Sequence, residues 1–290
     1  MQPQRPDSMR ALDEASAALA RPGSAEPLTA GDIKAQADTG HTLARLAYGL
    51  MLMEGQGGVQ QDFQAAADYM RPACAAENGN ACFFLGLLHD GLVGLDGRGL
   101  PRRPAEAGRF YRNACDYGAA QGCYNFAQIL DRPRAAPRTP PGAPPAAMSA
   151  AAAGAPAAAE LSDKERQREQ RRIAKFFAMA CSGGVGKGCV NLGVMHLDGY
   201  GGFAPSALAA LPVLQRACKL QEGSGCHYTG DLIMQGAVPG AESHAAELYY
   251  AGCRFGSPGA CMAQGRMLGQ AARAAAEAGT VSGEAALQAK

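Results

Sequence analysis

The chain has 290 residues, with 27 Lys and Arg against 26 Asp and Glu, a net charge of +1. So even a balance gives no electrostatic case for nucleic acid or for an acidic membrane surface. No apolar run approaches the ~18 residues of a transmembrane helix, and the absence of Trp with 38 Gly and abundant Ala suits closely packed helices.

Residues 1–31 are rich in Pro, Ala and Ser and are expected to be a disordered N-terminal segment. They hold no apolar stretch of the secretory kind, and Asp7, Asp13 and Glu14 interrupt any transit-peptide pattern. From residue 32 to 277 an internal repeat takes over. All ten cysteines fall into five pairs, each eight positions apart: Cys74/Cys82, Cys115/Cys123, Cys181/Cys189, Cys218/Cys226 and Cys253/Cys261. The first members are separated by 41, 66, 37 and 35 residues, so three intervals share one period and the fourth carries an insertion.

Other positions keep the same register. Eight before each first cysteine stands Ala66, Ala107, Ile173, Ala210 or Ala245, and four before it Met70, Tyr111, Phe177, Leu214 or Tyr249. These positions form one stripe of a helix. Four after each second cysteine comes Gly86, Ala127, Gly193, Gly230 or Gly265, small enough for two helices to approach closely. The run from Gly49 to Gly58 matches Gly193 to Gly202, which identifies a first repeat with Ala37 and Arg45 where the cysteines would be.

The pattern predicts helix–turn–helix units. Helix A elements are expected near 41–53, 81–90, 121–130, 187–197 and 224–235. Helix B elements are expected near 62–76, 104–117, 162–182, 205–220 and 241–254. A closing helix follows near 259–277, and 278–290 reads as a frayed tail. Residues 132–160, with seven prolines and almost no large apolar residue, form a Pro/Ala insertion expected to be disordered. After it, Ser162 and Glu165 have the spacing of a capping box, opening a charged helix with a solvated face.

Eight residues of continuous helix rise about 12 Å, whereas a disulfide needs Cα atoms within about 7 Å. A locally bonded pair therefore requires a chain reversal. The intervals contain Gly79, Gly118, Gly183, Gly223 and Gly256, which suit a helix end. Paired cysteines at fixed spacing read as a disulfide framework in an oxidising compartment. Structural zinc and redox centres favour closer spacings, and buried free thiols are the remaining alternative. The pairing stays open on spacing alone.

These units resemble Sel1-like repeats, relatives of tetratricopeptide repeats. The stretches GQGGVQQDFQAAADYMRPAC, ACFFLGLLHDGLVGLDGRG and GRFYRNACDYGAAQGCYNFAQIL are similar to the mitochondrial cytochrome c oxidase assembly factor seven family, including an enlarged loop after Gly86. The bacterial Hcp-type cysteine-rich proteins are a more distant likeness. The assembly factor seven family has further cysteines near its N-terminus, absent before Cys74 here, and lacks the Pro/Ala insertion. The resemblance implies an all-α, right-handed αα-solenoid of about five repeats, stapled by disulfides between neighbouring repeats. It implies a monomeric, non-enzymatic scaffold of the mitochondrial intermembrane space that assists assembly of respiratory complex IV. A protein or peptide partner would lie in its concave groove.

The resemblance also brings in haem, with His89 and His196 as candidate ligands because both stand three after equivalent glycines. The plain alternative is a polar residue copied by repeat duplication. No metal site is expected. The Hcp-type likeness implies instead a secreted or periplasmic protein acting on β-lactams or cell-wall peptides. Of the serine machinery for that chemistry, S-x-x-K, S-D-N and K-T-G are all missing.

Overall fold

The computed structural model describes residues 7–19, 28–91, 99–131, 162–237 and 242–288, all of them helix, turn or loop. The Pro/Ala insertion and most of the enlarged loop after Gly86 lie outside the described residues. The chain divides into two compact units, Met1–Ala136 and Pro137–Lys290. The division falls inside the insertion, where the sequence reading has one run of repeats from 32 to 277.

The first unit holds α1 (Asp7–Leu19), α2 (Ala30–Asp38), α3 (Thr42–Glu54), α4 (Phe63–Ala75), α5 (Gly79–Asp90), α6 (Pro104–Asp116) and α7 (Ala120–Asp131). The second holds α8 (Asp163–Ser182), α9 (Gly186–Asp198), α10 (Ala207–Lys219), α11 (Gly223–Met234), α12 (Glu242–Arg254) and α13 (Pro258–Gln288). Within each unit, helices pack against their sequence neighbours, except that α1 packs on α3; α5 also meets α7, α9 meets α11, and α11 meets α13. A helices therefore form one layer and B helices the other, which is the all-α repeat solenoid.

Packing follows the register read from the cysteines. The B-helix stripe is buried: Ala66, Met70, Ala107, Tyr111, Ala210 and Leu214 are each 0% exposed. The large members of the stripe press on a glycine of the preceding A helix. A Cβ on Gly193 would lie 2.6 Å from Leu214, one on Gly230 2.7 Å from Tyr249, and one on Gly49 2.8 Å from Met70. Gly86 lies flat against the Tyr111 ring in the same way. Larger residues there would force the helix pairs apart.

The turns from B to A helices share one backbone design. The amide five residues after the last small residue of the B helix returns to that residue's carbonyl: Asn78 to Ala73 at 3.1 Å, Ala119 to Ala114 at 2.8 Å and Ser257 to Gly252 at 2.9 Å. This six-to-one bond is the mark of a Schellman ending. Its left-handed residue stands three after the first cysteine: Gly118, Gly184 and Gly256, but also Glu77 at φ 63° and Gln221 at φ 61°. Of the five glycines expected to turn the chain, only Gly118 and Gly256 do so. Gly183 takes φ −79° as a helix cap. Gly79 and Gly223 open the next A helix, where a Cβ would lie 2.7 Å from the Tyr117 or Gly252 carbonyl oxygen.

Two terminal expectations need correction. Residues 7–19 are helical rather than disordered, and this helix packs on α3. Ser8 and Ala15 are buried, with Leu12 and Leu19 half-buried, which makes one stripe along α1. At the other end α13 runs on to Gln288 instead of ending near 277. Residues 270–288 contain no proline and are mostly helix formers. The capping box forms as expected, with Glu165 N–H donating to the Ser162 hydroxyl and Ser162 N–H to the Glu165 carboxylate at 2.9 Å.

Candidate protein-interaction face

All ten cysteines are paired as their spacing suggests: Cys74–Cys82, Cys115–Cys123, Cys181–Cys189, Cys218–Cys226 and Cys253–Cys261. Their Cα atoms are 4.5 to 4.7 Å apart. Each bond joins the end of a B helix to the start of the next A helix, across the Schellman turn. The sixth such turn, between α2 and α3, has no cysteine. There Arg45 Nε donates to the Ala37 carbonyl at 3.2 Å, so a hydrogen bond closes the turn that a disulfide closes elsewhere.

The clips hold the A helices side by side, and their outer stripe is the candidate interaction face. In α3 that stripe is Leu46, Leu50 and Met53, and all three are buried. Indeed every residue from Leu46 to Met53 is buried. An A helix packed only on its B helix would bury one side. The aligned helix α9 does just that, leaving Asn191, Val194, His196 and Leu197 partly exposed. The helix α1 packs on α3. Alongside α3, Arg10, Ala11 and Glu14 of α1 wall a pocket of about 320 Å³. Asn80, Phe83 and Phe84 of α5 and Gln121 of α7 complete its lining, the two phenylalanine rings being themselves buried. Sequence reading missed this arrangement because a Ser/Ala/Leu stripe does not stand out in an Ala- and Ser-rich segment.

The two candidate haem ligands lie in different units and each is described on its own. His89 is 2% exposed, and neither ring nitrogen has a hydrogen-bond partner among the described residues. Its ring stacks on Phe110 with centroids 5.4 Å apart, and Nδ1 is 3.7 Å from the Glu106 carboxylate. Burial pushes its pKa below the ordinary imidazole value, the Glu106 charge opposing that shift. His196 stacks on Phe203 at 3.9 Å, and burial lowers its pKa as well. An axial ligand must offer a ring nitrogen to an open face. His89 as packed offers none, so it does not fit haem ligation.

The equivalent positions explain these rings. Three after the small residue, other A helices carry Leu52, Leu130, Ile233 and Leu268. His89 and His196 fill an aliphatic slot at the end of the A helix, where the residue's carbonyl accepts from the next helix's entry: Arg103 N–H to His89 at 2.7 Å and Ser206 N–H to His196 at 2.8 Å.

One further polar cluster ties α11 to α12. The Tyr249 hydroxyl donates to Asp231 at 2.8 Å, and His227 Nε2 is 3.4 Å from the other Asp231 oxygen. Burial and the Asp231 contact raise the Tyr249 pKa, so the hydroxyl stays a donor. Among the described residues no group of three or more His, Cys, Asp or Glu is placed to hold a metal ion. No described helix is long and apolar enough to cross a membrane.

No family model matches the chain. Over 94 residues it is 34% identical to mouse (Mus musculus) cytochrome c oxidase assembly factor 7, which is 31% of this chain and 39% of that protein. The chain thus spans about two fifths of that curated relative. Its fold aligns with a Sel1 repeat protein from Oxalobacter formigenes at a TM-score of 0.56 and 16% identity, covering 77% of this chain and 76% of the other. A protective antigen of uropathogenic Escherichia coli aligns at a TM-score of 0.46 and 16% identity, over 86% of this chain and 54% of the antigen. With clipped helix pairs in sequence order and the Oxalobacter protein superposing on most of the chain, the fold is that of a Sel1-like repeat protein.

Proposed function

We propose that the chain is a non-enzymatic repeat scaffold of the mitochondrial intermembrane space that assists assembly of cytochrome c oxidase. The observation that carries this reading is the 34% identity over 94 residues to a protein bearing that assembly name. The five disulfides support the compartment, because such bonds persist where thiols are kept oxidised. Repeat stacks bind partners on an extended layer of side chains rather than in a deep pocket. The A-helix layer is the surface in question, with assembly intermediates as its occupants.

Disrupting the gene in the source organism should lower assembled complex IV on native gels while other respiratory complexes persist. The protein should fractionate with the intermembrane space and show oxidised cysteines by non-reducing peptide mapping. Unchanged complex IV in a null strain rules the reading out.

A further inference from the structure

We propose that the outward face of α8 is a docking site for an acidic helix of a protein partner, with Lys164, Arg168, Arg171 and Lys175 as the groups that bind it. This surface is separate from the A-helix layer and does not rest on the assembly reading.

Three observations carry it. First, α8 has two turns that the repeat does not require. It is 20 residues long, where α4, α6, α10 and α12 are each 13. The added turns are residues 163–169, which hold no apolar side chain, and none of them is buried. They contribute nothing to the core, and the Ser162–Glu165 capping box holds their open end.

Second, the cations form one line. Lys164, Arg168, Arg171 and Lys175 follow one another at four, three and four residues, which sets them on one side of a helix. That side lies opposite the buried Ile173, Phe177 and Ala180, and all four cations are exposed. At the positions of Arg171 and Lys175, α4 has Gln64 and Asp68, and no other B helix has two cations there. The line is therefore particular to α8 rather than copied with the repeat.

Third, the acids of the extension are engaged elsewhere. Asp163 pairs with Arg166 at 3.2 Å and Glu169 with Arg172 at 3.5 Å. Glu165 accepts from the Ser162 N–H and hydroxyl. The four cations on the line have no ion pair among the described residues. Like charges three and four apart repel along a helix, and an acidic surface laid on them removes that repulsion.

The chemistry of the line selects a carboxylate-bearing helix. Arg168 and Arg171 each present a planar fork that takes a carboxylate on two N–H groups. Arg171 packs against Gly202, where a Cβ would lie 2.8 Å from its Nε. The line is about 16 Å long at helical rise, which three turns of a second helix match. Four residues after Lys175 stands Met179, 36% exposed, which gives the partner an apolar side chain to meet. A lipid surface fits less well, because residues 163–172 offer no apolar side chain to enter the acyl region.

The test uses the full oxidised chain and a fluorescein-labelled helical peptide. Its glutamates keep the four–three–four spacing, with a leucine one turn beyond each end. At low ionic strength this peptide should bind at least ~10-fold tighter than one with glutamine in place of glutamate, and salt should erase the difference. Two variants with equal loss of charge locate the site. Lys164→Gln/Arg168→Gln should weaken binding about 5-fold, whereas Arg166→Gln/Arg172→Gln, off the line, should weaken it less than ~2-fold. On wild-type protein, saturating peptide should slow amide exchange of residues 163–172, a readout independent of either variant.

Equal weakening by the two variants overturns the proposal, as does unchanged exchange or a peptide that fails to bind. Sedimentation of the chain with phosphatidylserine vesicles, lost in Lys164→Gln/Arg168→Gln, together with no peptide binding, assigns the line to a lipid surface and overturns it too. None of these results touches the assembly reading, which stands or falls on complex IV in the null strain.

Discussion

The first two repeats of the N-terminal unit are built to one plan with different parts. In the second, the turn into α5 is closed by Cys74–Cys82; in the first, the turn into α3 is closed by Arg45 on the Ala37 carbonyl. The left-handed turn residue is Gly40 in the first and Glu77 in the second. The slot at the end of the A helix holds Leu52 in one and His89 in the other, both buried. The small residue of the A helix is glycine in both, facing Met70 or Tyr111. What stays constant is the turn hydrogen bond and the close approach of the two helices. The means of closing the turn and the filling of the slot are exchangeable, so the backbone design is the primary determinant and the disulfide an addition to it.

Removing the addition should have the largest effect. A Cys74→Ala/Cys82→Ala variant should lose about 2–3 kcal/mol, the loop-closure entropy of a short clip. Urea unfolding of the variant against wild type, both oxidised, measures this. If the doubly substituted protein matches wild type, the disulfide contributes nothing beyond the hydrogen bonds of the turn.

The slot comes next. His89→Leu makes the second repeat like the first and removes two buried nitrogens without hydrogen-bond partners, which should stabilise by about 1–2 kcal/mol. The pH dependence is a sharper test. Burial lowers the His89 pKa below its ordinary 6.5, so on acidification the unfolded chain binds the proton first. The stability associated with the neutral ring is fully present above about pH 6.5 and is lost as pH falls through the lower folded value. His89→Leu should flatten that acid limb in thermal melts between pH 7 and 5. An unchanged limb would place the proton elsewhere.

Arg45→Ala should cost about 1 kcal/mol, the loss of one partly buried hydrogen bond from a charged donor. Its effect should be confined to the first repeat, seen as faster amide exchange in α2 and the start of α3. The smallest change is Glu77→Gly, which relieves a left-handed non-glycine residue. A gain of about 0.5–1 kcal/mol is expected, the relief being partly offset by a more flexible unfolded chain. A loss instead would mean that the Glu77 side chain has a stabilising role of its own.

Most of the repeat architecture was legible before any coordinates. The cysteine register located the B-helix stripe from Ala66 to Tyr249 and the small A-helix residues. The helices from α3 to α12 begin and end within a turn of where that register puts them. This works because each repeat is a local unit whose buried positions recur. Three things were not legible, and each has a physical reason. The helix α1 has no second copy to align with, and its stripe of Ser8, Leu12, Ala15 and Leu19 is too weakly apolar to separate helix from loose chain. Glu77 and Gln221 occupy turn positions that glycine would advertise. The seclusion of His89 depends on Phe110 and Glu106 of the following helix, a tertiary fact that spacing does not carry. The disulfide framework could therefore be read directly, whereas the packing of α1 on α3 could not, because α1 lies outside the repeat.

The closing helix α13 begins like the clipped A helices, with its cysteine and its small residue Gly265, yet among the described residues nothing lies within 4 Å of where a Cβ on Gly265 would be. After α3 and α9 a glycine-rich reversal brings back a helix whose Met70 or Leu214 fills that notch; α13 instead continues to Gln288. Lengthening this array by engineering thus has a defined splice point. A reversal copied from Gly199–Ser206 and followed by a duplicate of α10, grafted after Gln270, would dock its leucine into the vacant notch and add one module.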